Sequence, residues 1–317
     1  LLIPLGVWLW GGDASTLEYI LGAIFVLPYI LFSPLVGWLT DCFCKTRIIQ
    51  VMSIFQIVVM SCMLFCFYQH DMEASILWFA VFATQATILS PAKKGIVKDL
   101  LGSRYIGFGS GIIEVSMVFV LLLAQIGVFF LFSWLLDTYY AENAFAVAEK
   151  EAGWYAVILP TWVFVSLACV VAVASIWLPS YPSHQKQKFS WSLLYEHFVQ
   201  IKYLWRERLL RLSELGIAYF WCLAGSLFLI LIQIAKAMHP TDTAAFSLQC
   251  GILMAWLGGG VITGGAIASC LCRGKTELGL IPLGAIGITV STFMLTVLDA
   301  ASSFNHVFLL LTGAFGA

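Results

Sequence analysis

Glu114 is the residue whose type and surroundings most directly indicate chemistry. It lies in an apolar stretch ten residues after Arg104, and no other charged residue follows until Asp137. A carboxylate at that depth in a membrane costs about 3 kcal/mol if it faces lipid, so we expect it to face other helices or a wet cavity. There it could contact a cationic ligand group or carry a proton. The alternative is a structural hydrogen bond to a neighbouring helix.

A second group of candidate residues precedes Glu114 in the chain. Gln85 lies within an apolar run that ends at Ser90-Pro91-Ala92-Lys93-Lys94. Pro91 predicts the end of a helix, followed by a polar loop over Ser90–Tyr105. The lysines fall where anionic lipid headgroups lie, although a basic loop is also typical of any cytoplasmic turn. Gln85, Ser90 and Lys93 are therefore candidate contacts for a ligand, with helix-to-helix hydrogen bonding as the alternative for Gln85.

A repeated turn supplies the third group, which consists of Gly37, Asp41, Lys45 and Arg47. Residues 265–275 repeat the pattern of residues 37–47: the glycine and both cysteines align, and Arg273 stands where the first copy has Lys45. Ser269 replaces Asp41 in the second copy. Each copy lies between two apolar runs. Such an internal repeat is typical of transporters built from two parallel bundles.

Composition assigns these residues to a membrane protein. Of 317 residues, 61% are hydrophobic and only 10% are charged, and the mean hydropathy is +0.96. A soluble domain has about 25% charged residues, enough to coat a surface in water. The chain is therefore an all-α polytopic membrane protein, not a soluble enzyme. It contains no nucleophile–base constellation, metal site, cofactor motif or nucleic-acid-binding pattern, so we expect no catalytic residues, no metal, no cofactor and no nucleic-acid partner.

Apolar runs of spanning length predict the helices, since a span needs roughly 20 residues. The first and last runs are too short to span, so we expect a fragment that holds the end of helix 1, complete helices 2 to 9 and the start of helix 10. The predicted helices cover Leu1–Trp10, Glu18–Leu39, Ile48–Tyr68, Ile76–Leu89, Ile106–Leu136, Trp154–Leu178, Leu212–Ala237, Ala244–Leu271, Leu278–Leu298 and a last one from about His306.

Basic residues orient this arrangement. All of the 16 lysines and arginines except Lys150 and Lys236 fall in alternate loops on one side. By the positive-inside rule that side is cytoplasmic. The longest polar segment separates helix 6 from helix 7. We therefore expect a six-helix N-terminal bundle over residues 1–178, a cytoplasmic linker over 179–211 and the start of a C-terminal bundle over 212–317. Six plus six helices with a repeat across the linker is the major facilitator fold.

The linker carries an amphipathic helix of its own. Apolar residues recur at three- and four-residue spacing from Trp191 to Trp205. The basic residues Lys202, Arg206 and Arg208 lie close together at the end of this stretch. Such a helix is expected to lie in the plane of the headgroups. Its simplest role is to tether the two halves, and the alternative is a regulatory or lipid-sensing role.

Two sets of residues resemble known families. The pattern of Gly37, Asp41, Lys45 and Arg47 is similar to the loop 2–3 signature of major facilitator transporters. The chain also resembles the lysophospholipid transporter (LplT) branch in several patterns. They are Ser-Pro-Ala-Lys-x-Gly-Ile at residues 90–96, the acid before leucine that follows it, Gly111-x-x-Glu114, Tyr29–Gly37 and Phe220-Trp221.

The resemblance implies alternating-access transport of lysophospholipids, chiefly lysophosphatidylethanolamine, across the bacterial inner membrane, with an acyltransferase as fused or separate partner. It also implies that Asp41, Lys45 and Arg47 close the cytoplasmic side, with Arg273 in the second copy. Phe228 falls near the position of a helix 7 arginine in that branch. Two other functions remain open: a proton-coupled exporter of amphipathic molecules with Glu114 as proton carrier, and a membrane anchor for an acyltransferase.

Overall fold

The computed structural model describes residues 2–10, 14–102, 106–142, 149–180, 196–239, 242–271, 280–297 and 304–316. The regular secondary structure in these residues is entirely α-helical. The helices are α1 (Leu2–Trp10), α2 (Ala14–Cys42), α3 (Lys45–Tyr68), α4 (Met72–Leu101), α5 (Ile106–Glu142), α6 (Glu149–Ile176), α7 (Glu196–Arg206), α8 (Arg208–Met238), α9 (Thr243–Leu271), α10 (Leu280–Val297) and α11 (Phe304–Gly316).

This order confirms the predicted all-helical membrane protein. Helices α1 to α6 correspond to predicted helices 1 to 6, α7 is the linker helix, and α8 to α11 correspond to predicted helices 7 to 10. Among the described residues, seven helices are long and apolar enough to cross a membrane, namely α2 to α6, α8 and α9. The arrangement is consistent with a major facilitator fold.

The predicted end of helix 4 at Pro91 is wrong. Helix α4 continues through Pro91 to Leu101, so Ser90 and Lys93 lie on its last turns and not in a loop. A proline removes one backbone donor and crowds the preceding turn, but packed membrane helices tolerate it. Here Ala92 and Ile96 are buried in a cluster with Ile48, which holds the two turns after the proline against α3.

The packing of the first half recurs in the second. In the first half α1 packs on α2, α2 on α4 and α4 on α3. In the second half α8 packs on α9, α9 on α11 and α11 on α10. These pairs match helix for helix if α8 is placed on α1. The repeated turn predicted two bundles of one topology, and this packing supports that prediction.

Helix α5 joins the two halves, because it packs along α9 as well as on α6. Phe129 of α5 belongs to a buried cluster with Leu231 of α8, Phe246 of α9 and Leu309 of α11. A separate cluster fills the first half, where Phe132 and Leu136 of α5 are buried with residues of α1, α2, α3, α4 and α6. We call the end with the α2–α3 turn the basic end, and the opposite one the acidic end.

Candidate functional site

The α2–α3 turn at the basic end is short and tightly built. Helix α2 ends at Cys42, α3 begins at Lys45, and only Phe43 and Cys44 lie between them. The Phe43 amide donates to the Leu39 carbonyl at 3.0 Å, and the Thr40 hydroxyl donates to the Gly37 carbonyl at 2.8 Å. The turn therefore places its charged residues at fixed positions on the ends of two helices.

Lys45 connects this turn to the end of α4. Its ammonium lies 2.7 Å from a carboxylate oxygen of Asp99, and both side chains are largely buried. The lysine side chain runs over Gly95, where an added Cβ would lie 2.9 Å from Lys45 Cε. Glycine at 95 thus leaves the space through which Lys45 reaches Asp99. Buried charges are tolerated when they are paired, as here.

Two further bonds fasten the start of α3 to the last turn of α6 and to the residues just after it. The Thr46 hydroxyl donates to the Pro179 carbonyl at 2.7 Å, and the Gln50 amide donates to the Ser175 carbonyl at 3.1 Å. With the Lys45–Asp99 pair, they hold three helices of the first half together at the basic end.

The other predicted gating residues are not part of this group of contacts. Asp41 and Arg47 are exposed and form no ion pair with any described residue. Gly37 is half-buried, and a Cβ added to it would have no described atom within 4 Å. Arg273 lies outside the described residues. Asp41 and Arg47 are thus exposed on either side of the α2–α3 turn, close in sequence to Lys45.

Among the predicted ligand contacts, Gln85 has a clear structural role. It is buried, and its amide donates to the Met52 carbonyl of α3 at 3.0 Å. This is the helix-to-helix bond that was the alternative for Gln85. Ser90 is half-buried one and a half turns further along α4, and Lys93 is exposed three residues beyond it. The structure therefore places these candidates on one helix without bringing them into one contact group.

Glu114 lies in the third turn of α5, and its side chain is outside the described residues. The register of α5 against α9 gives its level. Added Cβ atoms at Gly258 and Gly251 of α9 would contact Leu122 and Phe130 of α5, so the helices are antiparallel. Glu114 precedes Leu122 by eight residues in α5. Because α9 runs in the opposite direction, this level corresponds to a position about eight residues after Gly258. The Glu114 backbone is therefore level with about residue 266, roughly 12 Å from the start of α5.

Asp99, Gly95, Thr46 and Gln50 are site residues that the sequence reasoning did not assign a role. One signal was present, because Asp99 is the only carboxylate in a stretch that holds Lys93, Lys94 and Lys98. The contacts of Thr46 and Gln50 join residues more than 100 positions apart. Such contacts depend on the rotation of each helix about its axis.

Comparisons with known proteins bear on the identity of the chain. No protein-family model matches it. The lysophospholipid transporter LplT of Klebsiella pneumoniae (strain 342) is 27% identical over 304 residues, which cover 94% of this chain and 67% of that protein. The protein of the same name from Yersinia enterocolitica (serotype O:8 / biotype 1B) is 25% identical over 278 residues, or 87% and 62%.

The chain thus spans about two thirds of the length of these curated relatives. The similarity includes helices of both halves and confirms the resemblance of the chain to the lysophospholipid transporter branch. The chain is a homologue, at low identity and along almost its whole length, of proteins named lysophospholipid transporter LplT.

Proposed function

We propose that this chain moves lysophospholipids across a bacterial inner membrane by alternating access of two helical bundles. The observation that carries the proposal is the similarity over 94% of the chain to a protein named lysophospholipid transporter. Seven membrane-capable helices and the repeated packing of the two halves support it, because alternating access needs two bodies that can rock around a central site.

The proposed bundles cover residues 1–178 and the region from 212 onward, with 179–211 as the linker. Lysophosphatidylethanolamine fits the proposed site residues because it combines a cationic amine with an anionic phosphate. Glu114 would contact the amine or shape the cavity, since its backbone lies where α5 runs along α9. Lys93 and Ser90, on the last turns of α4, would contact the phosphate near the exit. Gln85, bonded to α3, would keep α4 in register.

At the basic end, the group made by Lys45, Asp99 and Thr46 would act as a rigid edge of the gate. Asp41 and Arg47, exposed beside it, would meet the second half when that end closes, with Arg273 as the counterpart there. By the positive-inside rule the basic end faces the cytoplasm. An acyltransferase, fused or separate, would then reacylate the delivered lysolipid on that side.

The direct test uses the purified protein in liposomes that contain labelled lysophosphatidylethanolamine. Movement between leaflets is followed with and without a pH gradient, and in the variant Glu114→Gln. We expect movement without a gradient, competition by other lysophospholipids and a rate at least tenfold lower in Glu114→Gln. Gln125→Glu, on the same helix, serves as a control for the effect of an altered charge in α5.

Three outcomes would contradict the proposal or part of it. Movement only with a pH gradient would favour the proton-coupled exporter. Absence of movement, with reacylation retained after the Asp41→Ala change, would favour the membrane anchor. Unchanged movement in Glu114→Gln would remove Glu114 from the site and leave the transport proposal standing.

A further inference from the structure

The corner between α7 and α8 carries basic and aromatic residues that the proposed transport function does not use. Helix α7 ends at Arg206, Glu207 follows, and α8 begins at Arg208. Between Val199 and Arg211 the only carboxylate is Glu207, whereas four residues are basic, namely Lys202, Arg206, Arg208 and Arg211. The corner is therefore strongly cationic in a chain whose formal net charge is −1.

One of these cations shapes the corner. The Arg211 guanidinium donates to the Trp205 carbonyl at 3.1 Å and lies 5.9 Å from the centre of the Trp205 ring. These contacts tie the last turn of α7 to the first turn of α8. They hold the remaining basic residues, which are exposed, in a fixed relation to the start of α8.

The two faces of α7 fit a membrane surface. Lys202 and Arg206 are four residues apart and share one face of the helix, whereas Ile201 and Trp205 share another. Ile201 is 50% exposed and Trp205 is 58% exposed. Among the described helices, α7 packs substantially only on α8. An amphipathic helix with exposed apolar side chains and basic neighbours is suited to the boundary between headgroups and acyl chains.

The length of α8 sets the depth of this corner. Its 31 residues span roughly 46 Å, compared with about 30 Å of hydrocarbon in a bilayer. The charged residues Arg208, Arg211 and Glu214 lie in the first turns of α8, and the uninterrupted apolar run begins at Leu215. The first turns of α8 therefore lie at headgroup level, where phosphates of anionic lipids are found.

Among the residues that the structure describes, few contacts from other helices reach the same end of α8. Its buried residues, Leu227, Leu231, Ile232 and Ala235, all lie in the half toward the acidic end. Residues 212–222 are exposed on all sides within the described structure.

We propose that the α7–α8 corner is a binding surface for anionic phospholipid headgroups, and that their binding fixes the position of the basic end of α8. Lys202, Arg206 and Arg208 contact the phosphates, while Ile201 and Trp205 enter the boundary with the acyl chains. This role is separate from transport, because it concerns lipids of the surrounding leaflet and not the moved lysolipid.

Binding is tested on the purified protein by native mass spectrometry with added phosphatidylglycerol. Each basic residue near an anionic surface adds about 1 kcal/mol, so the triple change Lys202→Gln/Arg206→Gln/Arg208→Gln should weaken retention on the order of a hundredfold. The double change Arg206→Lys/Arg208→Lys should retain the lipid. Lys236→Gln, at the opposite end of α8, is the matched control. Equal retention by the triple variant and the wild type would overturn the proposal.

The effect on α8 is tested by distances between spin labels at Leu212→Cys and Ile262→Cys, in a background without the nine native cysteines. Both positions are exposed, one on α8 and one on α9. Vesicles of phosphatidylcholine with phosphatidylglycerol should give a narrower distribution than phosphatidylcholine alone, and the triple variant should lose this difference. The same distribution in both vesicles would show that the corner does not position α8.

Discussion

At the residue scale, the Lys45–Asp99 pair is one of the three interactions that hold the basic end of the first half together. Its side chains come from α3 and α4, 54 positions apart, and meet at 2.7 Å. Asp99 is nearly buried, so losing its lysine leaves a carboxylate in poorly hydrated surroundings. Gly37, by contrast, has open space around it in the described structure. The two residues should therefore respond differently to mutation.

We expect Lys45→Gln to destabilise the protein by about 1–3 kcal/mol, because a charged hydrogen bond of this kind contributes that much. Asp99→Asn should cost a similar amount. The double variant should lose less than the sum of the two, since each single change already breaks the pair. Thermal unfolding in detergent measures all three. Additive losses would mean that the two side chains do not act together.

Gly37→Ala should leave the free energy of unfolding within about 0.5 kcal/mol of the wild type, because the added methyl group meets no described atom. If the basic end closes over Gly37 during transport, the same change should slow lysolipid movement several-fold. Stability is measured by thermal shift and movement in liposomes. Lysolipid movement at the wild-type rate in Gly37→Ala would show that Gly37 is not part of the gate.

At the element scale, the contact between α9 and α11 depends on glycine. A Cβ added at Gly260 or Gly264 would overlap backbone atoms of α11, including the Ala314 carbonyl for Gly264. Gly313 of α11 has the reciprocal relation to the α9 backbone. Gly260 and Gly264 are four residues apart, a spacing that favours close packing of membrane helices, and the partner helix here is α11. Gly259, one position from Gly260, has no atom within 4 Å of an added Cβ.

Gly264→Ala should therefore destabilise the second half by about 1–3 kcal/mol, because backbone atoms cannot rotate away from the new methyl group. Gly259→Ala is the matched control and should be neutral or stabilising by up to about 1 kcal/mol, since alanine favours the helix. Thermal shift in detergent compares the two. Equal changes in thermal stability for Gly264→Ala and Gly259→Ala would mean that α9 and α11 do not pack closely at Gly264.

At the scale of the whole molecule, α5 and α9 form the packed contact through which the two halves meet. Phe130 lies against Gly251 and Leu122 against Gly258, so the contact runs along much of both helices. The Glu114 backbone lies further along α5, toward the basic end. If the halves rock against each other, this contact must slide or open.

A covalent bridge between Leu122→Cys and Gly258→Cys, in a background without native cysteines, should therefore abolish lysolipid movement. A bridge between Gln50→Cys and Ser175→Cys joins α3 to α6 within the first half and should leave movement intact. Movement is measured in liposomes before and after reduction of the bridge. Full activity with α5 fixed to α9 would exclude rocking at this contact.

The amino-acid sequence by itself determined the class of the protein, the order and approximate span of the helices, and the side on which basic residues collect. These follow from local composition: an apolar run of about 20 residues favours a helix in lipid, because a helix satisfies all of its backbone hydrogen bonds within the segment. The motifs around Pro91 and Glu114 also indicated the relatives that the comparisons found.

Only the tertiary structure decided which side chains meet. It paired Lys45 with Asp99, bonded Gln85 to α3 and set Gly264 against α11. It also carried α4 through Pro91, where neighbouring helices support the turns that a proline weakens. In water, an apolar stripe would show which face of a helix points inward. In lipid, both the outer and the inner faces are apolar, so the rotation of each helix follows from packing with its neighbours.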